Sequence, residues 1–395
     1  MKTKLFALLM LAASVPAVAP AVTLEEVLEQ IKKNNADLKY ASAQIEAQTA
    51  ELKTTNNLSN PTIDGSYLFG NDAAGDKWEV GVSQEFDWPG LYSARGAANK
   101  AQIEAIRRSY SVTKQSVLFE AYNLCLDIVS CNRSIAFQKG VMDNLNKLYD
   151  TNMKAFSHGE VSIIDVNKLK IERIALQQIL DNLVAKRDAK VIELEGYNSN
   201  LPIEGVKTLD FYSDNALLPM SDYLAEAKAN SPLIAQSRAE LVADEKYTKV
   251  ASAQGLPKFN LGYKHSKEDG YNFNGVTFGM SLPVFENRGK MKAAKAKYII
   301  SQYACDNAEA DVENEVMTNY QTAQSLQKQL NGYREALDGV DNVSVLNKAL
   351  NGGQISLLTY LQELRYFVDA KAVMLEVESD YHRALAVLNK YRIAK

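Results

Sequence analysis

Gly159-Glu160-Val161-Ser162-Ile163-Ile164 recurs as Gly353-Gln354-Ile355-Ser356-Leu357-Leu358, displaced by 194 residues from 159 to 353. Each copy interrupts a long helical pattern at a glycine, and the pattern resumes beyond it. Working outward, three further stretches answer one another in the same order. Asn35-Ala36-Asp37-Leu38 answers Asn230-Ser231-Pro232-Leu233, and Pro61-Thr62-Ile63-Asp64-Gly65-Ser66-Tyr67 answers Pro257-Lys258-Phe259-Asn260-Leu261-Gly262-Tyr263. Gly81-Val82-Ser83 answers Gly279-Met280-Ser281. A conserved order of matches along the chain marks an internal repeat, so the sequence reads as one unit written twice.

Each unit predicts a helix, two strands, a long helix, a glycine-marked break and a second long helix. Unit one covers 22–197, with a β-hairpin at 62–88 and long helices at 93–157 and 162–197. A crossover at 198–221 holds Asn198, Pro202, Gly205 and Pro219, with Leu209, Phe211 and Leu217 placed to pack. Unit two covers 222–395, with a hairpin at 258–285 and helices at 290–350 and 355–392. In the first long helix Ile103, Ile106, Tyr110, Thr113, Val117, Ala121, Leu124, Ile128, Cys131, Ile135, Met142, Leu145, Tyr149 and Phe156 keep close to alternating steps of three and four. A 3.5-residue period held over many turns is the coiled-coil pattern. At 1.5 Å per residue the helix reaches about 95 Å, far more than a globular domain needs.

The strands alternate. Trp78, Val80, Val82, Phe86 and Trp88 share one parity; Glu79, Gly81, Ser83, Glu85 and Asp87 take the other. Val276, Phe278, Met280, Leu282 and Val284 repeat the apolar parity in unit two. Such a sheet could turn its apolar face onto helices, but the two tryptophans of the chain favour lipid. Trp78 and Trp88 lie ten residues apart on one face, a rise of roughly 25 Å for a tilted strand, the height of the apolar band between the aromatic girdles of an outer-membrane barrel. Four strands leave two edges that lipid does not tolerate, so the barrel must be shared between chains. Two, three or four copies would each satisfy this.

The N-terminus reads as a secretory signal over 1–21: Lys2 and Lys4, an apolar stretch from Leu5 to Val15, then Ala17, Ala19 and Ala21. Thr23 and Glu26 beyond it form a capping-box pattern. No later apolar run approaches a membrane-spanning helix. The net charge of −4, or −6 without Lys2 and Lys4, argues against nucleic acid. Cys125, Cys131 and Cys305 fall among apolar neighbours in helical patterns, as buried small residues rather than a disulfide or metal set. The three histidines stand in separate segments, and HExxH, GxSxG, Walker and CxxC motifs are missing. The expectation is a protein that is not an enzyme and needs no cofactor or metal.

Taken together, the chain resembles the TolC family of outer-membrane efflux ducts over essentially its whole mature length. Gly159 to Val166 is similar to the family's Gly-Leu-(Ser/Ala)-x-x-Asp-Val stretch, with a second copy at Gly353 to Leu361. The resemblance implies a mainly α fold with a small β part: a homotrimer with a shared twelve-stranded barrel in the outer membrane and an α-helical coiled-coil tube across the periplasm. It implies docking of the helix tips on a periplasmic adaptor and an inner-membrane pump, mapped here to Gly159, Val161, Ser162, Gly353, Ile355 and Ser356. Asp165 falls where the family has an acidic residue in the network that closes the tube. Ile355 replaces the basic partner of that network, and Thr359 and Gln362 stand in place of two constricting aspartates, so closure must use other groups.

The function implied is a passive exit duct for substrates driven by a pump, either heavy metal or drug; the short chain is similar to members that serve heavy-metal pumps. The competing reading is a periplasmic coiled-coil scaffold or adaptor without a channel.

Overall fold

The computed structural model describes residues 22–71, 75–210, 212, 216–337 and 342–393. The expected signal segment and Phe211 lie outside them. Helix α1 (Leu24–Asn34) starts at the capping box: the Glu26 N–H donates to Thr23 Oγ1 at 3.2 Å, and the Thr23 N–H donates to the Glu26 carboxylate at 2.9 Å. The single helix expected ahead of each hairpin is instead a pair. α1 gives way at Asn35 to α2 (Ala36–Thr54), and α5 (Met220–Asn230) gives way at Ser231 to α6 (Pro232–Ala253). Asn35 leaves the helical region with ψ 131° and accepts the Leu38 N–H at 2.9 Å. Ser231 does the same for Ile234, and Pro232 has no N–H with which to continue the preceding helix. The repeat signature at Asn35 and Ser231 is therefore a corner, not the middle of a helix.

Four strands follow, β1 (Thr62–Leu68), β2 (Lys77–Phe86), β3 (Lys258–Glu268) and β4 (Tyr271–Ser281). They form one sheet in the order β1-β2-β3-β4, antiparallel throughout, so the hairpins of the two repeats pair with each other through β2 and β3. β1 and β4 are its free edges within the chain. Within the second hairpin, which starts at Lys258 as expected, the strands expected over 258–266 and 272–285 end elsewhere. β3 continues past Ser266 to Glu268, because Asp269 and Gly270, with φ of 48° and 84°, make a two-residue turn suited to the twist of the strands. β4 stops at Ser281 rather than 285, where Pro283 offers no ladder donor. β2 likewise ends at Phe86, and Trp88 serves as the N-cap of the next helix.

That helix, α3 (Pro89–Ser157), has 69 residues and extends about 100 Å. It reverses into α4 (Ile163–Tyr197). In the second repeat α7 (Lys290–Leu337) and α8 (Asn342–Asn351) occupy the span expected as one helix over 290–350, with 338–341 outside the described residues, and α9 (Leu357–Ile393) returns. The heptad positions Val117, Ala121, Leu124, Ile128, Cys131, Ile135, Met142 and Leu145 are buried, while Phe156 near the tip is exposed.

Three clusters hold the helices. One joins Val27, Ile31 and Leu38 to Ala121, Leu124, Ile128 and Leu194, and takes in Ile203, Val206 and Leu209 of the crossover. A second packs Tyr223, Ile234, Val316, Leu330, Tyr381 and Leu388, with Leu217 against it. The third lies toward the tips, where Leu145, Leu169 and Leu176 of the first repeat meet Tyr360 and Leu364 of the second. All three cysteines are free and buried, and burial pushes the Cys125 thiol up to about 12.

Candidate functional site

Two regions stand out, the sheet at one end of the long helices and the reversals at the other. Because side chains alternate along a strand, the register assigns every residue of the sheet to one of two faces. Val80 lies between Gly65 and His265, Val82 between Ile63 and Tyr263, and Phe259 between Phe86 and Met280. With Trp78, Leu261, Val276 and Phe278 these residues make a nearly continuous apolar face. It is uncovered: Val276 is 75% and Phe278 70% exposed. An exposed apolar patch of this extent marks a surface that meets lipid or another protein.

The opposite face carries Asp64, Ser66, Glu79, Ser83, Lys264, Ser266 and Glu268. Four ion pairs lie on it: Lys77 meets Glu79 within β2 at 3.3 Å, and three others cross the β2–β3 junction. Lys77 meets Glu268 at 3.1 Å, Lys258 meets Glu85 at 3.5 Å, and Lys264 pairs with Glu79. Aromatic rings mark both ends of the apolar face. Trp78 stands edge-on to His265 at 5.3 Å near the hairpin tips, and Trp88 packs on Phe259 at 5.7 Å at the base.

At the far end the two reversals are built alike. The Glu160 N–H donates to the Ala155 carbonyl and the Gly159 N–H to Phe156; the Gln354 N–H donates to Ala349 and the Gly353 N–H to Leu350. These are Schellman closures, which need a left-handed residue, and Gly159 and Gly353 supply it with φ of 78° and 67°. Ser162 then accepts the Ile164 N–H at 3.1 Å and Ser356 the Thr359 N–H at 3.1 Å, so each returning helix begins on a serine cap.

Of the residues singled out at the tips, Val161 and Ile355 are half-buried, with Ile355 packed on the cluster around Tyr360. Ser162 and Ser356 are exposed. Asp165 pairs with Lys168 on the next turn of its own helix at 3.2 Å, Thr359 is engaged by Ser356, and Gln362 is exposed. The sequence reading passed over Ile164 and Leu358, which occupy equivalent places in the repeated motif and are 62% and 50% exposed. Their doubled position was the available signal.

Two polar assemblies were also missed. Asn144, Asn347 and Tyr360 close a ring: the Asn144 amide donates to Tyr360 Oη at 2.7 Å, Tyr360 donates to Asn347 Oδ1 at 2.9 Å, and the Asn347 amide donates to Asn144 Oδ1 at 2.7 Å. Burial raises the Tyr360 hydroxyl above its ordinary pKa. Farther along, the buried Glu378 accepts from Arg133 and Arg334, both at 2.7 Å, which ties α3, α7 and α9 together. Nothing in the linear sequence signals either one, since their members are 216 and 245 residues apart at the widest direct bonds.

Among the described residues no group of His, Cys, Asp or Glu could hold a metal ion, and no helix is long and apolar enough to cross a membrane. What the geometry offers is a strip of sheet, apolar on one face and charged on the other, carried on long helices with shaped tips.

Residues 223–391 match the family model described as outer membrane efflux protein. That match covers the second repeat, from within α5 to within α9. The fold extends the likeness to the whole chain. A membrane protein from Pseudomonas aeruginosa superposes with a TM-score of 0.75 at 14% identity, covering 93% of this chain and 89% of that one. The outer membrane protein VceC from Vibrio cholerae gives 0.74 at 13% identity, covering 93% and 95%. The CmeC outer membrane channel of Campylobacter jejuni gives 0.69 at 17% identity, covering 94% and 85%. No curated protein sequence matches the chain.

Proposed function

We propose that this chain is the outer-membrane exit duct of a tripartite efflux system, passively conducting substrates that an inner-membrane pump delivers through a periplasmic adaptor. The observation that carries this reading is the uncovered apolar face of a sheet with two free edges. Lipid would cover the face, but lipid cannot satisfy the N–H and C=O groups of an open edge, which cost several kcal/mol each if left bare. Pairing β4 of one copy with β1 of the next removes both edges. Three copies, each giving four strands, make the twelve-stranded barrel of a homotrimer, and the helices of the three copies continue it as a coiled-coil tube through the periplasm.

In this assembly the face with Asp64, Glu79 and Lys264 lines water, and Trp78 and Trp88 sit near the two lipid interfaces. The tips at Gly159, Val161, Ser162, Gly353, Ile355 and Ser356 dock on the adaptor, with Ile164 and Leu358 as the exposed apolar side chains available to it. The gate region contains Asp165, Thr359 and Gln362, which lack the opposed charges that would lock it. The substrate, whether heavy metal or drug, is set by the pump.

The test is fractionation and heat modification. The protein should appear in the outer-membrane fraction as an oligomer of three chains that survives detergent and falls to a single-chain band on heating. Release by osmotic shock as a soluble monomer would end the proposal. Channel activity of the purified oligomer in a planar bilayer is the second criterion.

A further inference from the structure

On the face of the sheet that carries the ion pairs, apolar side chains are confined to one end. Along β1 the residues are Thr62, Asp64, Ser66 and then Leu68; along β4, from base to tip, they are Ser281, Gly279, Thr277, Gly275 and then Phe273 and Tyr271. Leu68 and Tyr271 belong to the row that runs through Lys77 and Glu268. Phe273 belongs to the row below, with Ser66, Glu79 and Ser266. Every other member of this face is charged, polar or glycine. The side chains at the tip are also the bulkiest that β4 places on this face, where four small residues precede two aromatic rings.

Their exposure is high, 71% for Tyr271 and 54% for Phe273, so nothing within one chain covers them. The tip itself is braced. Asp76 accepts from the Tyr67 hydroxyl at 2.7 Å and from the Gly70 N–H at 3.1 Å, and a side chain added at Gly75 would come within 3.3 Å of Asp269 on the other hairpin. The rings are thus held on a supported rim.

We infer that Leu68, Phe273 and Tyr271 form an apolar collar inside the outer mouth of the duct, which narrows the exit and excludes bulky polar solutes from outside. This inference rests on the barrel proposed above. In that barrel the polar face turns inward, and each copy brings its aromatic pair to the same rim. Small residues below leave the lumen wide, whereas the rings above it reduce the opening and line it with surface that water wets poorly. A hydrophobic constriction of this kind resists ions and hydrated solutes through the cost of bringing water or charge past apolar walls. The same side chains on a strand facing lipid would have no such effect.

The experiment compares the full-length protein with Phe273→Ser, Tyr271→Ser and the double variant in planar bilayers, and follows entry of a bulky polar antibiotic in cells. The double variant should raise single-channel conductance roughly twofold and admit the antibiotic. Phe273→Cys, labelled from outside by a membrane-impermeant maleimide, should lose conductance; the native cysteines are all buried. Phe278→Cys, on the other face, should resist the reagent and keep its conductance. Heat-labile oligomer in every variant secures that the protein has folded. A conducting oligomer whose conductance and antibiotic exclusion are unchanged by both serines overturns the collar and leaves the duct intact. Failure of the unaltered protein to form an oligomer or to conduct overturns the duct, and the collar with it.

Discussion

Replacing Tyr360 with Phe removes one oxygen atom and opens the ring of Asn144, Asn347 and Tyr360. The hydroxyl takes part in two of the three bonds, so the change leaves an amide donor on Asn144 and an amide acceptor on Asn347 without their partner. A buried polar group stripped of its partner costs about 1–3 kcal/mol. Both asparagines are half-buried and regain some water, which puts the total near the low end, about 2 kcal/mol for the two together.

The loss should fall mainly on α8. That helix has ten residues and not one of them is fully buried, so it is held by Val343, Leu346 and Leu350 against the tip cluster and by the ring through Asn347. A helix so short has little stability of its own. Hydrogen exchange read by mass spectrometry over 342–351 should therefore accelerate roughly 30-fold in Tyr360→Phe, with the middle of α3 unchanged. Asn347→Leu breaks two bonds of the same ring and should give a similar acceleration. The double variant should scarcely exceed either, because both changes remove one shared network. Protection of α8 that stays within about threefold of the unaltered protein in both single variants would show that the ring does not hold the helix.

Glu378→Ala should destabilise the chain by about 2–3 kcal/mol in denaturant unfolding, below the range for a fully buried ion pair because Arg133 and Arg334 are partly exposed and can rehydrate; loss of less than about 1 kcal/mol would rank the triad with ordinary surface pairs. Gly353→Ala should cost about 1–2 kcal/mol from the left-handed backbone alone, since an added methyl meets nothing within 4 Å, and Gly353→Asn should recover part of it in thermal melts. Ile164→Glu and Leu358→Glu should abolish efflux in cells while leaving the amount of oligomer unchanged, whereas Ile355→Glu should lower both, because Ile355 also packs on the core; unaltered efflux in the first two would move the adaptor contact elsewhere. Alkali should weaken the fold. The Cys125 thiol is protonated in folded and unfolded chains below its ordinary 9.0, the unfolded chain ionises first above that, and stability falls as pH rises from about 9 toward about 12. Cys125→Ala should flatten that part of a pH-dependent unfolding curve.

The long elements were readable because their pattern is local and doubled. A 3.5 period over α3 and a glycine recurring 194 residues later depend on neighbours in sequence, and strand parity alone sorted Val80, Val82 and Phe278 onto one face. Corners were harder. Asn35 and Ser231 carried the signal of a repeat, but a cap inside a helical pattern is recognised by its backbone angles, not by its letters. The ends of β3 and β4 moved by a few residues because turn geometry at Asp269-Gly270 and a missing donor at Pro283 decided them. The Tyr360 ring and the Glu378 triad were illegible. Their members come from α3, α7, α8 and α9, and only the packed arrangement of those helices brings them within bonding distance.

The pairing of β2 with β3 joins strands that no turn connects, and its geometry is the one that β4 and β1 would adopt between separate molecules. To the closed ring, a boundary between repeats and a boundary between polypeptides are the same kind of joint. Covalent linkage of the two halves therefore matters for counting and matching rather than for architecture: a shorter ancestor holding one unit could close an equivalent ring from twice as many molecules. Fusing two units lets their surfaces diverge, so that one joint can be riveted by charge, as Lys264 and Glu79 do here, while the edges at β1 and β4 stay open within the chain.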